Sequence, residues 1–224
     1  MRAVVIGGTS GLGLEIAKIL KSSYEVVITG RKNPDEKELI FYPFDLDAPL
    51  EKLVDRSRAV ALKALNEIDL LVYAAGFFQE GRIHELSAED IQRTNNVGLL
   101  APAVLSSQII NIQGSLPGLI AITSTSEWTP RLTEPVYTAV KAGLAMLARS
   151  LSLDPRFEKV LVAAPSGMRT KFWVGTDRDT SEMLEPHWVA EQIVEEFEKP
   201  GYKFKHMKIL RGPARVEISE QRST

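Results

Sequence analysis

Tyr137 and Lys141 stand four residues apart in the stretch EPVYTAVKAGLAMLARS. On a helix that spacing stacks both side chains on one face. A free phenol has a pKa of about 10 and is a poor base at neutral pH. An ammonium about 4 Å away, at an effective dielectric of about 20, is worth about 4 kcal/mol. That is about three pKa units, enough to bring a phenol towards the range of an acid–base catalyst. Taken alone, the pair equally describes an ordinary surface neighbourhood. A second feature gives it context. The run LIAITSTSEW is apolar and then hydroxyl-rich, and places Ser124 thirteen residues before Tyr137. A third lies at the start of the chain, where VVIGGTSGLGLEIA carries Gly7, Gly8, Gly11 and Gly13. Glycines between a strand and a helix let the backbone approach a phosphate at the helix N-terminus. Thr9 and Ser10 add hydroxyl donors to that loop.

These residues need a scaffold, and the hydrophobic pattern supplies one. Strands are expected at Arg2–Ile6, Glu25–Thr29, Leu39–Tyr42, Asp69–Ala74, Leu119–Ser124, Lys159–Ala164 and His206–Leu210. The clearest helical patterns are Leu12–Lys21, Leu50–Lys63, Val97–Ile112, Tyr137–Leu151 and Trp188–Glu198. Strands that are apolar on both faces and alternate with helices imply an α/β fold: a doubly wound, mostly parallel, seven-stranded sheet with helices on both faces. The 224 residues fit one large domain, residues 1–224. Residues 167–185 are long for a loop and form a candidate substrate lid. That loop and the polar tail after Arg211 are the expected loose regions.

Composition narrows the function. The chain is 44% hydrophobic and 25% charged, with a formal charge of −2 and acids and bases interspersed. That balance gives no sign of a nucleic-acid or membrane partner. There are no cysteines, so thiol catalysis and disulfides are excluded. The three histidines, His84, His187 and His206, are far apart in sequence, and no metal site is expected. A reducing, cytoplasmic setting fits. The second strand ends in VITGRKN. A carboxylate there would take the ribose 2′-hydroxyl of NAD, but Arg31 and Lys32 would instead welcome a 2′-phosphate, which favours NADP over NAD. Asp45, after the third strand, stands where a carboxylate could meet an adenine amino group. Trp173 and Phe172 could line the substrate pocket or anchor the lid, and Trp128 has the better claim to touch substrate. Glu195, Glu196 and Glu198 read as the solvated face of a helix.

In order and spacing, these motifs resemble the short-chain dehydrogenase/reductase family over nearly the whole chain, and the expected fold is then the Rossmann type. The family's glycine motif matches Gly7, Gly11 and Gly13, and its Y-x-x-x-K matches Tyr137 and Lys141. The catalytic serine falls on Ser124. RTNNVG is similar to the asparagine segment, with Asn96 favoured over Asn95. APSGMRT is similar to the nicotinamide cradle, so Pro165 and Thr170 carry over. Cofactor contacts at Leu12, Leu46, Ala75 and Gly76 follow from the same resemblance, alongside Thr9, Ser10, Arg31 and Asp45. It implies reversible hydride transfer between NADP(H) and a carbonyl or alcohol substrate. Tyr137 would be the acid–base group, Lys141 would lower its pKa and hold the ribose, Ser124 would bond the substrate oxygen, and Asn96 would support a relay water. A homodimer or homotetramer through Val97–Ile112 and Tyr137–Leu151 is also implied. Two departures stand out. Ala74 replaces an asparagine that braces the sheet end, and Ser166 replaces the glycine after Pro165. The rival readings are a non-catalytic NADP(H)-binding redox sensor and a sugar-nucleotide epimerase, the latter disfavoured by the glycine spacing and the short chain.

Overall fold

The computed structural model describes residues 1–63, 67–78 and 80–223. Its elements, in chain order, are β1 (Arg2–Ile6), α1 (Gly11–Leu20), β2 (Glu25–Gly30), β3 (Ile40–Pro43), α2 (Leu50–Lys63), β4 (Leu70–Tyr73), α3 (Ala88–Asn95), α4 (Ala101–Gln113), β5 (Leu116–Ile122), α5 (Pro135–Leu151), β6 (Phe157–Pro165), α6 (Pro186–Glu198), β7 (Phe204–Leu210) and β8 (Arg215–Arg222). They build a single sheet in the order β3-β2-β1-β4-β5-β6-β7-β8. Every pairing is parallel except that of β7 with β8.

Alternation along the strands divides the core in two. On one face Val4, Ile6, Leu71, Leu119 and Val160 pack against Leu53 of α2, Leu105 and Ile109 of α4, and Leu144 of α5. On the other, Val5, Val72, Ile120 and Leu161 meet Ile16 and Leu20 of α1 and Val189 and Ile193 of α6. Successive strand residues point to opposite faces, so strands buried on both sides must be apolar throughout, which is how their sequences read. The chain leaves β1 towards β2 on one side and returns as β4 on the other. That reversal of strand order opens a crevice beyond the carboxyl ends of the strands.

Three expectations are corrected. The sheet has eight strands, not seven, because the tail is not loose. Residues Arg215–Arg222 pair antiparallel with β7, from Leu210↔Arg215 to Phe204↔Arg222. This edge strand is mostly exposed and charged, so it carries little of the apolar alternation that marks a strand in sequence. The loop at 167–185 is also tied down. Met168 bridges Leu184, with Leu184 N–H bonding Gly167 O at 3.0 Å, and residues Lys171–Trp173 form a 3-10 turn. Finally, Glu196 does not join a solvated face: it is buried and its Oε1 lies 2.5 Å from the buried Lys205 Nζ.

The helical pattern predicted at Val97–Ile112 is broken in an informative way. It begins as a π-helical turn over Asn96–Leu100, which links α3 to α4. Gly98 lets this turn approach α5, since a Cβ there would lie 2.7 Å from Val140 Cγ2. Among the described residues, no helix is long and apolar enough to cross a membrane.

Candidate active site

The crevice is a cleft of about 390 Å³. Its first wall is the turn between β1 and α1. Gly7 (φ +78°) and Gly11 (φ +54°) adopt left-handed backbone conformations that suit glycine. A Cβ on Gly13 would sit 2.3 Å from Gly7 O, so only hydrogen lets the helix start this close to the strand. Ser10, the residue before α1, makes no side-chain cap, and the first turn carries no acid. The first N–H groups of the helix therefore face the cleft unclaimed, with the positive end of its dipole. Thr9, Ser10, Leu12, Arg31, Asp45 and Leu46 continue the wall on one side, and Ala75, Gly76, Pro165 and Thr170 on the other. Arg31 is exposed at the end of β2.

The second wall carries the candidate catalytic residues. β5 ends at Ile122, and Ser124 caps the short turn Thr125–Glu127, its Oγ accepting from Ser126 N–H at 3.2 Å. Ser124 and Tyr137 face the same cleft. One turn along α5, Lys141 is 4% exposed and donates to the Ile122 carbonyl at 3.0 Å. Its Nζ stands 5.7 Å from the centre of the Tyr137 ring. Burial lowers the Lys141 pKa to about 8, opposed by the Glu127 carboxylate. The phenol does not become more acidic, contrary to the sequence expectation. Burial pushes its pKa well above the ordinary value, Ser124 pulls it down, Glu134 raises it and Arg131 lowers it. Desolvation of the buried phenol outweighs the opposing pull of Ser124 and Arg131.

Glycine loop, Ser124, Tyr137 and Lys141 thus share one cleft, in the order and spacing of a known family. The family model for short chain dehydrogenase matches residues 1–180. The chain belongs to the short-chain dehydrogenase family. Among its relatives, the short chain dehydrogenase helC of Aspergillus fumigatus is 28% identical over 89% of this chain and 91% of its own length. Glucose 1-dehydrogenase 2 of Bacillus subtilis is 26% identical over 80% of this chain and 76% of its own. In fold the chain is similar to an alcohol dehydrogenase from Thermococcus sibiricus complexed with 5-hydroxy-NADP, with a TM-score of 0.80 at 20% identity, covering 96% of this chain and 98% of that one.

As a short-chain dehydrogenase the chain is unusual at the end of β4. Ala74 brings no side-chain hydrogen bond, and the brace comes from its neighbour instead. The buried Tyr73 hydroxyl donates to Val97 O at 2.5 Å, tying the strand end to the π-helical turn. Asn96 is buried at the head of that turn but does not line the cleft, and Asn95 bonds back to Ile91 O. Ser166 is nearly buried, its N–H held by Ile209 O, and lies on the cleft wall with Gly167.

Phe77 and Arg178 line the cleft without having been singled out from sequence, and Phe78 backs its aromatic side. Phe78 packs edge-on to Tyr137 with ring centres 5.4 Å apart, and Phe172 lies 6.1 Å from the same ring. Trp173 completes the group, 5.2 Å from Phe78. Both lid aromatics line the cleft, whereas Trp128 does not: it stacks on His206 instead. Arg178 of the lid spans the gap, reaching Glu80 at 2.7 Å and the buried Glu134 at 2.5 Å. The sequence gives no local signal for these contacts, because they join residues 44 and 98 positions apart.

Proposed function

We propose that this short-chain dehydrogenase is an NADP(H)-dependent carbonyl reductase, running the reaction reversibly with Tyr137 as the acid–base group. The observation that carries this reading is the meeting of Ser124, Tyr137 and Lys141 in the same cleft as the glycine loop. The unclaimed N–H groups of α1, with Thr9 and Ser10, suit a pyrophosphate, and the missing Cβ of Gly13 leaves room for the close turn it needs. Leu12 and Gly13 would form the floor beneath it. Arg31 would hold a 2′-phosphate, Asp45 and Leu46 the adenine, and Ala75, Gly76, Pro165 and Thr170 the nicotinamide end. NADP(H), when bound, supplies or accepts the hydride.

The chain's own residues do the rest. Burial raises its pKa, so the Tyr137 phenol enters the reduction as the proton donor and takes the proton back in the reverse direction. It would give its proton to a substrate oxygen that is becoming an alkoxide, while Ser124 donates a second hydrogen bond to that oxygen. Lys141 would hold the nicotinamide ribose, and Asn96 would act one step away through water. Phe172 and Trp173, with Phe78 packed behind them, suit an apolar carbonyl compound. Small-molecule turnover, a homo-oligomeric assembly and a cytoplasmic setting complete the reading.

Two variants test it. Tyr137→Phe should abolish NADPH oxidation against a panel of small ketones and aldehydes while NADPH binding, followed by fluorescence, stays nearly intact. Unchanged turnover refutes the role of Tyr137, and no turnover in the wild type across the panel favours the redox sensor. Arg31→Ala should weaken NADPH at least about tenfold, the loss of a charge-assisted phosphate contact, and leave NADH binding unchanged. Equal losses for both nucleotides overturn the NADP preference.

A further inference from the structure

Lys141 is a buried cation with a single carbonyl partner, Ile122 O, and it needs a counter-charge. The tyrosine beside it is a neutral phenol at neutral pH. The carboxylate that acts on the ammonium belongs to Glu127. Glu127 closes the 3-10 turn that Ser124 caps, and α5 packs directly on that turn. The Glu127 side chain is 8% exposed. Its Oε1 lies 2.6 Å from His206 Nε2, and its Oε2 is buried without a hydrogen-bond partner. A carboxylate only accepts, so Nε2 carries the proton of that contact. His206, on β7, is bonded through Nδ1 to the Ser219 hydroxyl of β8, and the indole of Trp128 packs edge-on to its ring. The titratable and charged groups around this cluster are Lys141 from α5, His206 and Lys208 from β7, the latter over the Trp128 ring, and Arg131 and Glu134, which meet at the neighbouring Ser126.

A buried carboxylate with one oxygen fixed on a histidine and the other unpartnered is expensive unless a cation lies near it. We propose that Glu127, aimed by His206, is the counter-charge that keeps the Lys141 ammonium protonated, and is thus a positioning residue for the Ser124–Tyr137–Lys141 site. The same contact couples the β7–β8 hairpin to the site, a link that gives the eighth strand a functional consequence. The inference rests on the reductase reading for its effect on turnover, but the charge coupling itself does not.

The test follows the 13Cε shift of Lys141 against pH in ligand-free protein labelled at its lysines, with the signal assigned by its loss in Lys141→Met. Glu127→Gln keeps the hydrogen-bonding shape and removes the charge, and should move the Lys141 midpoint down by about one pH unit. His206→Leu removes the contact that aims the carboxylate and should move it in the same direction. Glu127→Asp should restore at least half of the shift. Where the wild type reduces carbonyls, the alkaline limb of kcat/KM should fall at correspondingly lower pH in Glu127→Gln. A Lys141 midpoint unchanged within about 0.3 unit in folded Glu127→Gln or His206→Leu overturns the proposal. A shifted midpoint in a protein that turns nothing over upholds the coupling and rejects the reductase.

Discussion

Lys141 is held at the cleft at a cost to stability. Its pKa is about 8 in the folded chain against 10.5 for an ordinary lysine, the first cause being burial. Between those values the unfolded chain binds more protons, so the stability of the wild type rises with pH across that window. Below about pH 8 the full penalty is present, on the order of 3 kcal/mol. Lys141→Met removes that penalty and also orphans the Ile122 carbonyl, which costs about 1–3 kcal/mol. The variant should therefore unfold at a temperature no lower than the wild type at pH 7. Its advantage should shrink steadily between pH 8 and 10, as read from thermal melts across that range. An advantage that grows with pH would reverse the sign of the argument. The pairing of Tyr137 with Lys141 was legible from a four-residue spacing. The direction of the phenol's shift was not, because it depends on how much protein surrounds the hydroxyl.

At the scale of elements, the first β–α turn is the most constrained part of the site. Gly13 faces a backbone oxygen rather than a side chain, so nothing nearby can move aside. Gly13→Ala should cost several kcal/mol, about 2–4 by analogy with overpacked interiors, and should lose nucleotide binding together with stability. Urea unfolding and an NADPH titration on the same samples check both losses, and a variant with wild-type stability contradicts the contact. This turn was readable because its physics is local: strand, glycines and helix follow one another in the chain. The lid was readable only as a long loop. Its ends are pinned by Met168 and Leu184, and Arg178 reaches two glutamates from other segments. Such pairings leave no trace in local pattern. Trp128 illustrates the same limit. Four residues past Ser124 it was a fair substrate contact, but the turn sends it outwards to His206.

At the scale of the whole molecule, the eighth strand changes how the sheet ends. β8 covers the edge of β7 and exposes Arg215 and Glu217, while Glu220 and Arg222 are half-buried against Arg149 and Phe204. Charged edges resist further strand pairing. The helices, by contrast, carry exposed apolar residues: Ile112 at the end of α4, Met146 on α5 and Leu153 just after it. Light scattering on the purified chain should give the mass of two or four copies of a 24.8 kDa protein, and a monomer at micromolar concentration would remove the helix-borne interface. The sequence by itself determined the parallel α/β architecture, the glycine turn, and the residues Ser124, Tyr137 and Lys141, because each rests on periodicity or on spacing within one element. Tertiary structure alone decided the antiparallel edge strand, the burial of Glu196, the aromatic and ionic closure of the lid, and the approach of Glu127 and His206 to the site. Those depend on which distant segments meet, and on how far water is excluded where they do.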